Sequence, residues 1–226
     1  MKFCCLLFVC GLLFNTQLQA QADLGENKVL QSQNLNYRVA LPDKYSKEGK
    51  GAPLILFLHG GDGSNTKHHP KKYAEQAGID FPFMVVAPHC NLGCSWSTVD
   101  YDALLSEVLR GYNVDKNRIY VTGYSMGGYG TWSAISKFPD LFAAAAPIAG
   151  GGNTKTICNA KEVAIRAYHG NKDSITPYSG SQKLISKLEG CGAKAELLTI
   201  QNGDHWIWPD LFKDKTFYDW LLAQSR

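Results

Sequence analysis

The segment Gly123-Tyr124-Ser125-Met126-Gly127 places a serine between two glycines at a spacing that suits nucleophilic catalysis. An apolar run at 119–122 precedes the segment, and a helical pattern follows it. In a G-x-S-x-G turn between a strand and a helix, the serine occupies the tip of a strained turn, and side chains at both flanking positions would collide. The sequence therefore predicts Ser125 as a nucleophile held on a strand–turn–helix.

A serine hydroxyl needs a base to remove its proton, and that base needs a third group to orient it. His205 follows the last predicted strand, where this architecture carries its base. Asp173 follows the strand before it, within His169-Gly170-Asn171-Lys172-Asp173. The chain order Ser, Asp, His is that of a hydrolase built on an α/β sheet. We therefore expect Ser125, Asp173 and His205 to be the catalytic residues.

Negative charge that develops on a substrate oxygen requires two backbone N–H donors. The amide of Met126, at the start of the helix, is one candidate. The loop Leu58-His59-Gly60-Gly61-Asp62-Gly63 offers the second, from Gly61 or Asp62, with Gly61 preferred. We expect His59 to anchor this loop rather than to act as a base. His68 and His69, which lie among lysines, are expected in solvent.

Aromatic side chains fall near the predicted site loops. We single out Trp96, Tyr124 and Trp206 as substrate-binding candidates that would stack on a sugar or phenolic ring. Trp208 lies in the same region, whereas Trp132 lies within a predicted helix and is expected in the core.

The elements that position these residues alternate between apolar strands and amphipathic helices. Such alternation predicts an α/β fold with a mostly parallel sheet and helices on both faces. Its ligands bind beyond the carboxyl ends of the strands. The predicted strands are 35–41 (an edge strand), 53–58, 83–87, 119–122, 143–148, 163–168 and 195–200. The predicted helices are 67–77, 99–112, 126–137, 179–189 and 210–224.

Only about fourteen residues separate the predicted strands 143–148 and 163–168. Many lipases insert a helical cap at this point, and this connection has no room for one. We therefore expect no cap domain and an open, shallow site, which suits short acyl chains or esters attached to a polymer.

The first 22 residues resemble a secretory signal peptide. Lys2 is followed by an apolar run at 3–14, too short to span a bilayer as a helix, and by the small residues Ala20 and Ala22. We expect cleavage there, export to the periplasm or outside the cell, and one catalytic domain at 23–226 with no membrane association.

Composition narrows the class of partner. The 226 residues are 45% hydrophobic and carry 23 basic against 20 acidic side chains, for a net charge of +3. This balance, without a cluster of basic residues, argues against nucleic-acid binding.

Four of the seven cysteines lie outside the predicted signal peptide. In an exported chain they suggest two disulfides, with three possible pairings. We favour Cys90–Cys94 and Cys158–Cys191. The competing interpretation is a zinc site at His89-Cys90-x-x-x-Cys94, whose spacing matches no strong zinc signature. We expect no metal and no cofactor.

Together, the motifs at 58–61, 123–130, 169–173 and 205–206 resemble those of the α/β-hydrolase superfamily. The resemblance covers roughly residues 35–224 and is closer to secreted carboxylesterases related to polyhydroxybutyrate depolymerases and to feruloyl and acetylxylan esterases, a group also described as peptidases of the prolyl oligopeptidase type. It implies a serine hydrolase of short-chain or aromatic esters, including esters carried on polysaccharides. The alternatives are a prolyl-oligopeptidase-like peptidase and a non-catalytic binding protein on the same scaffold.

Overall fold

The computed structural model describes residues 24–25, 27–63, 67–91 and 93–226. The predicted signal peptide at 1–22 lies outside these residues. Eight strands form one sheet in the order β1-β2-β4-β3-β5-β6-β7-β8. Their bounds are β1 Asn27–Leu30, β2 Leu35–Ala40, β3 Ala52–Leu58, β4 Met84–Pro88, β5 Val114–Tyr124, β6 Ala144–Ile148, β7 Ala164–Gly170 and β8 Ala195–Ile200.

The strand directions confirm the predicted α/β-hydrolase-type sheet. The five pairings from β4 through β3, β5, β6 and β7 to β8 are parallel, and only the β1–β2 and β2–β4 pairings are antiparallel. Parallel strands in register bring their carboxyl ends to one edge. That edge holds the residues that follow β3, β5, β7 and β8.

Both faces of the sheet are covered, as the continuous apolar strands require. Along β3, Leu54, Leu56 and Leu58 enter one core, whereas Ile55 and Phe57 enter the other. The helices are α1 Pro70–Gln76, α2 Tyr101–Gly111, α3 Met126–Lys137, α4 Tyr178–Glu189, α5 Trp208–Leu211 and α6 Lys215–Leu222.

Helices α2, α3 and α4 contribute to the first of these cores, and α1 and α6 contribute to the second. None of the helices within the described ranges has the length and apolar character needed to cross a membrane.

Two local predictions were wrong. The strand at 35–41 is not at the edge, because β1 pairs with β2 on its outer side. The single helix predicted for 210–224 is two helices, α5 and α6. Asp214 begins the second helix, with its carboxylate accepting a hydrogen bond from the Thr216 amide. An N-cap of this kind starts a new helix because it satisfies an amide that lacks an intrahelical partner.

The connection between β6 and β7 is short, as predicted. Residues 149–163 contain only a single 3-10 turn, Ile157–Ala160. No cap domain covers the carboxyl edge of the sheet within the part of the chain that the structure describes.

Both predicted disulfides are confirmed. Cys90 pairs with Cys94 at a Cα–Cα distance of 5.4 Å, and Cys158 pairs with Cys191 at 5.9 Å. Because the first pair consumes both cysteines of the alternative zinc interpretation, that interpretation is wrong. Across the described ranges, no group of three or more His, Cys, Asp or Glu side chains is arranged to hold a metal ion.

The two disulfides differ in the length of chain that they close, and this difference predicts unequal contributions to stability. Loop-closure entropy gives roughly 3.7 kcal/mol for a separation of 33 residues and roughly 1.9 kcal/mol for a separation of 4. Urea unfolding should therefore show a larger loss for the Cys158→Ser/Cys191→Ser variant than for Cys90→Ser/Cys94→Ser. A larger loss for the Cys90–Cys94 pair would contradict this ranking.

Candidate active site

Ser125 lies at the tip of the turn between β5 and α3, with φ 55° and ψ −119°. Such backbone angles are strained for a residue with a side chain and cluster at functional sites. The Ser125 amide donates a hydrogen bond to the Ile148 carbonyl at 3.0 Å, which ties the turn to the end of β6. Within the described residues, the Ser125 hydroxyl has no hydrogen-bond partner.

The turn requires glycine on both sides of Ser125. A Cβ added to Gly123 or to Gly127 would collide with the carbonyl oxygen of Leu58, at the end of β3. The first turn of α3 therefore rests directly on the backbone of the neighbouring strand. This close approach explains the spacing of the motif.

Asp173 and His205 meet at the same edge of the sheet. The Nδ1 atom of His205 lies 2.8 Å from Oδ2 of Asp173. The Asp173 carboxylate is fully buried, and His205 is 4% exposed. A carboxylate at Nδ1 fixes the imidazole with its proton on that nitrogen, and Nε2 is left as the basic atom.

Asp173 remains ionised because its hydrogen bonds outweigh its burial. Burial alone would raise its pKa, but hydrogen bonds from His205 and from the Thr176 and Ile175 amides lower the pKa below its ordinary value. The two amides donate to Oδ1 at 2.7 and 2.9 Å. The carboxylate thus keeps a fixed negative charge beneath His205.

A second imidazole, which the sequence analysis did not assign, also contacts this carboxylate. Nε2 of His169 lies 3.2 Å from Oδ2 of Asp173 and 3.0 Å from the Thr176 carbonyl oxygen. Burial lowers the pKa of His169, so the ring is neutral and its Nε2 proton faces these two acceptors. The only signal in the sequence was its place in the His169-Gly170-x-x-Asp173 motif.

The loop that carries His205 packs on the end of β7. The Lys172 amide donates to the Gly203 carbonyl at 2.9 Å, and a Cβ on Gly170 would collide with that loop. Trp208 lies edge-on to His205, with ring centroids 5.7 Å apart, and stacks on Tyr124 at 4.0 Å. His205 is therefore held from below by Asp173 and from the side by Trp208.

The loop after β3 is anchored by His59, as predicted. Nδ1 of His59 donates to the Gly60 carbonyl at 2.7 Å, and Nε2 accepts from the Cys90 amide at 3.0 Å. Burial lowers the pKa of this ring, so it remains neutral and holds both bonds. Beyond it, Gly61 is exposed, and a Cβ there would meet no atom within 4 Å.

The Met126 amide is at the first position of α3, where no intrahelical acceptor exists. Gly61 follows β3, which lies next to β5 in the sheet, so both predicted donor positions lie at the carboxyl edge of the strands.

Of the three aromatic candidates, only Trp206 is open to a ligand, with 58% of its surface exposed. Trp96 is 2% exposed, and its Nε1 donates to the His59 carbonyl at 3.1 Å, so it supports the anchored loop instead. Tyr124 is also 2% exposed: its ring is covered by Trp208, and its hydroxyl donates to Asp62 at 3.3 Å. The stacking role predicted for Trp96 and Tyr124 was wrong, because both rings are packed within the protein.

The expectation that His68 and His69 lie in solvent was also wrong. His69 is buried and begins α1, accepting a hydrogen bond from the Lys72 amide at 3.2 Å. Nδ1 of His68 lies 2.6 Å from the Tyr73 hydroxyl, and its ring meets the rings of Tyr124 and Trp208 edge-on. His68 therefore packs against the stacked rings of Tyr124 and Trp208.

In a comparison with protein families, the model of the Dienelactone hydrolase family matches residues 35–206. Among curated proteins, the bifunctional acetylxylan esterase/xylanase of Neocallimastix patriciarum is 30% identical over 158 residues, 66% of this chain and 24% of that protein. The probable feruloyl esterase C of Aspergillus niger is 24% identical over 175 residues, 73% of this chain and 64% of that protein.

The poly(3-hydroxyalkanoate) depolymerase C of Paucimonas lemoignei is 29% identical over 117 residues, 44% of this chain and 28% of that protein. The chain thus spans about a quarter of two of these relatives and just under two thirds of the third.

Solved structures give the same fold. A thermostable esterase superposes with a TM-score of 0.73 at 31% identity, covering 85% of this chain and 60% of that one. The feruloyl esterase module from Clostridium thermocellum, solved with sinapinate, has a TM-score of 0.63 at 18% identity, covering 79% and 81% of the two chains.

The contact between Gly127 and Leu58 predicts that the turn tolerates no side chain. Gly127→Ala should cost about 3 kcal/mol of folding stability. The added Cβ would collide with the backbone carbonyl of Leu58, which cannot move away as a flexible side chain could. Gly111→Ala is the matched control, since a Cβ there meets nothing within 4 Å. Thermal unfolding of both variants tests this, and a Gly127→Ala protein as stable as the control would contradict the packing.

The lowered pKa of Asp173 predicts an acid-dependent loss of stability. A carboxyl whose pKa is lower in the folded state stabilises the protein above its unfolded pKa, about 4, and this contribution is lost as the pH falls through the folded value. On acidification below about pH 4, wild type should therefore lose unfolding free energy more steeply than Asp173→Asn.

Urea unfolding over a pH series measures both slopes. Asp204→Asn, which removes one negative charge beside His205 but leaves the Asp173 hydrogen bonds in place, is the matched control. Equal slopes for wild type and Asp173→Asn would show that the carboxylate gains nothing from its contacts.

Proposed function

Because the chain belongs to the dienelactone hydrolase family, we propose that it is a serine carboxylesterase that acts through Ser125, His205 and Asp173. The observation that carries the proposal is the buried hydrogen bond from His205 to the ionised Asp173, at the same sheet edge as the strained Ser125 turn. A nucleophile, a base and a carboxylate that orients the base are the groups that acyl transfer requires, and Ser125, His205 and Asp173 follow β5, β8 and β7 at that edge.

The proposed reaction is a two-step acyl transfer. Nε2 of His205 takes the Ser125 proton as the hydroxyl attacks the ester carbonyl, and the resulting imidazolium is stabilised by the Asp173 carboxylate. His205 then gives its proton to the leaving alcohol, and an acyl-enzyme remains. Water, deprotonated by His205, attacks this ester and releases the carboxylic acid and the serine hydroxyl.

The amides of Met126 and Gly61 are the proposed donors to the carbonyl oxygen as it becomes an oxyanion. Removing one such donor from a related site typically costs about 3–4 kcal/mol of transition-state stabilisation. Anchoring of the loop by His59 supports this assignment because a donor aimed in advance loses little free energy to reorganisation.

The proposed substrates are small esters or esters carried on a polysaccharide, with a short-chain or aromatic acyl group. Three exposed apolar side chains surround the catalytic residues: Trp206, 58% exposed; Ile175, 62% exposed; and Tyr129, 45% exposed. Trp206 adjoins His205, Ile175 follows Asp173 by two residues, and Tyr129 is one helical turn after Ser125. An open site rimmed in this way accepts an ester that projects from a larger molecule.

The proposal includes export by a signal peptide at 1–22 and a single catalytic domain at 23–226. The two disulfides support it because such bonds persist in oxidising compartments. Export would bring the protein to esters that are attached to polymers outside the cytoplasm.

Purified mature protein should hydrolyse acetyl, butyryl, octanoyl or feruloyl esters, and Ser125→Ala should abolish turnover. Asp173→Asn should lower kcat by up to about 10⁴-fold, because an amide favours the wrong tautomer of His205. Asp204→Asn is the matched control and should keep turnover within a few-fold, since its carboxylate is bonded to the Trp206 amide.

The ranking of the four esters identifies the acyl preference. Cleavage of Pro-containing peptides without ester hydrolysis would favour the peptidase alternative. Folded protein with no turnover, and no reaction with a fluorophosphonate probe, would favour the non-catalytic alternative.

A further inference from the structure

A groove of about 680 Å³ lies along one face of α3, outside the cluster of Ser125, Asp173 and His205. Its floor is formed by Tyr129, Trp132, Ser133 and Ser136, which recur at helical spacing and so share one face of the helix. Tyr129 marks its near end, because its amide donates to the Ser125 carbonyl at 3.1 Å. The groove therefore begins one helical turn from the nucleophile.

Polar, uncharged groups line the walls of this groove. Ser95 and Ser97 form one wall, and Asn153, Thr156 and Asn159 form the other. Among the described residues that line it, none is acidic and only Lys137 is basic. Its ammonium is already bonded to the Ser97 carbonyl. The groove thus combines a mainly apolar surface with hydroxyl and amide groups, and its one charged side chain is already bonded within the protein.

Two hydroxyls on the floor remain available to a ligand. The hydroxyls of Tyr129 and Ser133 make no hydrogen bond within the described parts of the chain, and Tyr129 is 45% exposed. Trp132 also lines the groove but is buried, so it contributes ring surface to the floor and its Nε1 stays out of reach of a ligand.

We propose that this groove binds a neutral oligosaccharide, which carries the ester that Ser125 hydrolyses. Sugar rings present hydroxyls that both donate and accept, together with an apolar face that suits the exposed Tyr129 ring. The volume is within the range of about 300–1,000 Å³ typical of small-molecule sites and exceeds the needs of an acetyl group alone. This inference rests on the proposed esterase function for the identity of the ester.

The walls of the groove are pre-organised by the two disulfides. Cys94, paired with Cys90, directly precedes Ser95, and Cys158, paired with Cys191, lies between Thr156 and Asn159. Fixing a binding surface before the ligand arrives reduces the ordering cost of binding. The covalent links therefore fall at the segments that would contact the sugar.

Binding can be measured apart from catalysis by titrating xylotetraose into Ser125→Ala protein and following heat or chemical-shift changes. We expect a Kd of about 1 mM or tighter, with no comparable binding of tetragalacturonate, whose carboxylates find no cationic partner. Absence of xylotetraose binding, or a preference for the charged sugar, would overturn the proposal.

Two substitutions place the binding in the groove. Ser133→Tyr fills the floor and should weaken xylotetraose binding at least tenfold, whereas Ser186→Tyr, the same change on the exposed face of α4, should leave it unchanged. Tyr129→Ala removes an exposed ring without a hydrogen bond and should also weaken binding, so the test does not depend on how well the first variant folds. Binding that is unaffected by both groove variants would contradict the assignment.

In the enzyme with Ser125 intact, Ser133→Tyr should lower kcat/KM for an acetylated xylo-oligosaccharide about tenfold more than kcat/KM for 4-nitrophenyl acetate. Hydrolysis of 4-nitrophenyl acetate without xylotetraose binding would retain the esterase and reject the groove. Xylotetraose binding without ester hydrolysis would retain the groove and reject the esterase. Loss of both in folded protein would reject both.

Discussion

The backbone contact between the first turn of α3 and the end of β3 is the constraint on which the geometry of the site depends. Gly127 rests on the Leu58 carbonyl, and Gly128 meets the backbone at Gly150 on the opposite side. No side chain separates these segments, so the position of Ser125 is set by main-chain geometry alone. The same contact fixes Met126 relative to the loop that bears Gly61, and thereby relates Ser125, the proposed nucleophile, to its proposed oxyanion donors.

The second organising feature is the buried, ionised carboxylate of Asp173. Leaving a carboxylate unpaired away from water is costly, and the fold compensates with donors from two histidines and two amides. Those donors belong to β7, to the turn after it and to the loop after β8. The Asp173 carboxylate therefore links three segments of the chain. Its hydrogen bond to Nδ1 sets the orientation of the His205 ring.

The sequence was informative where a residue's role follows from the turn or strand end on which it lies. The alternation of elements was sufficient to predict the fold, the G-x-S-x-G spacing predicted the turn at Ser125, and the places of Asp173 and His205 after β7 and β8 predicted that these two side chains pair. The cysteine pairing could be favoured because a span of three residues between Cys90 and Cys94 suits a small loop.

Prediction failed where the environment of a side chain depends on several distant segments. The burial of Trp96 under the His59 loop and of Tyr124 under Trp208 could not be read from their positions in the chain. His169 has no local pattern that separates a strand-end histidine from a second donor to Asp173. The strand β1 was missed because only one of its four residues, Leu30, is buried, and no alternating apolar pattern marks it.

The short β6–β7 connection indicates where the sequence of this fold can change without altering the Ser125 turn. Residues 153–159 contribute one wall of the α3 groove, whereas Gly150, at the start of the same connection, packs against Gly128 in the first turn of α3. An insertion or exchange at 153–159 would therefore change the shape of the groove and leave in place the Gly128–Gly150 contact and the hydrogen bonds to Asp173. Under the proposed function, the segment that shapes the groove is separate from the segments that hold Ser125, Asp173 and His205.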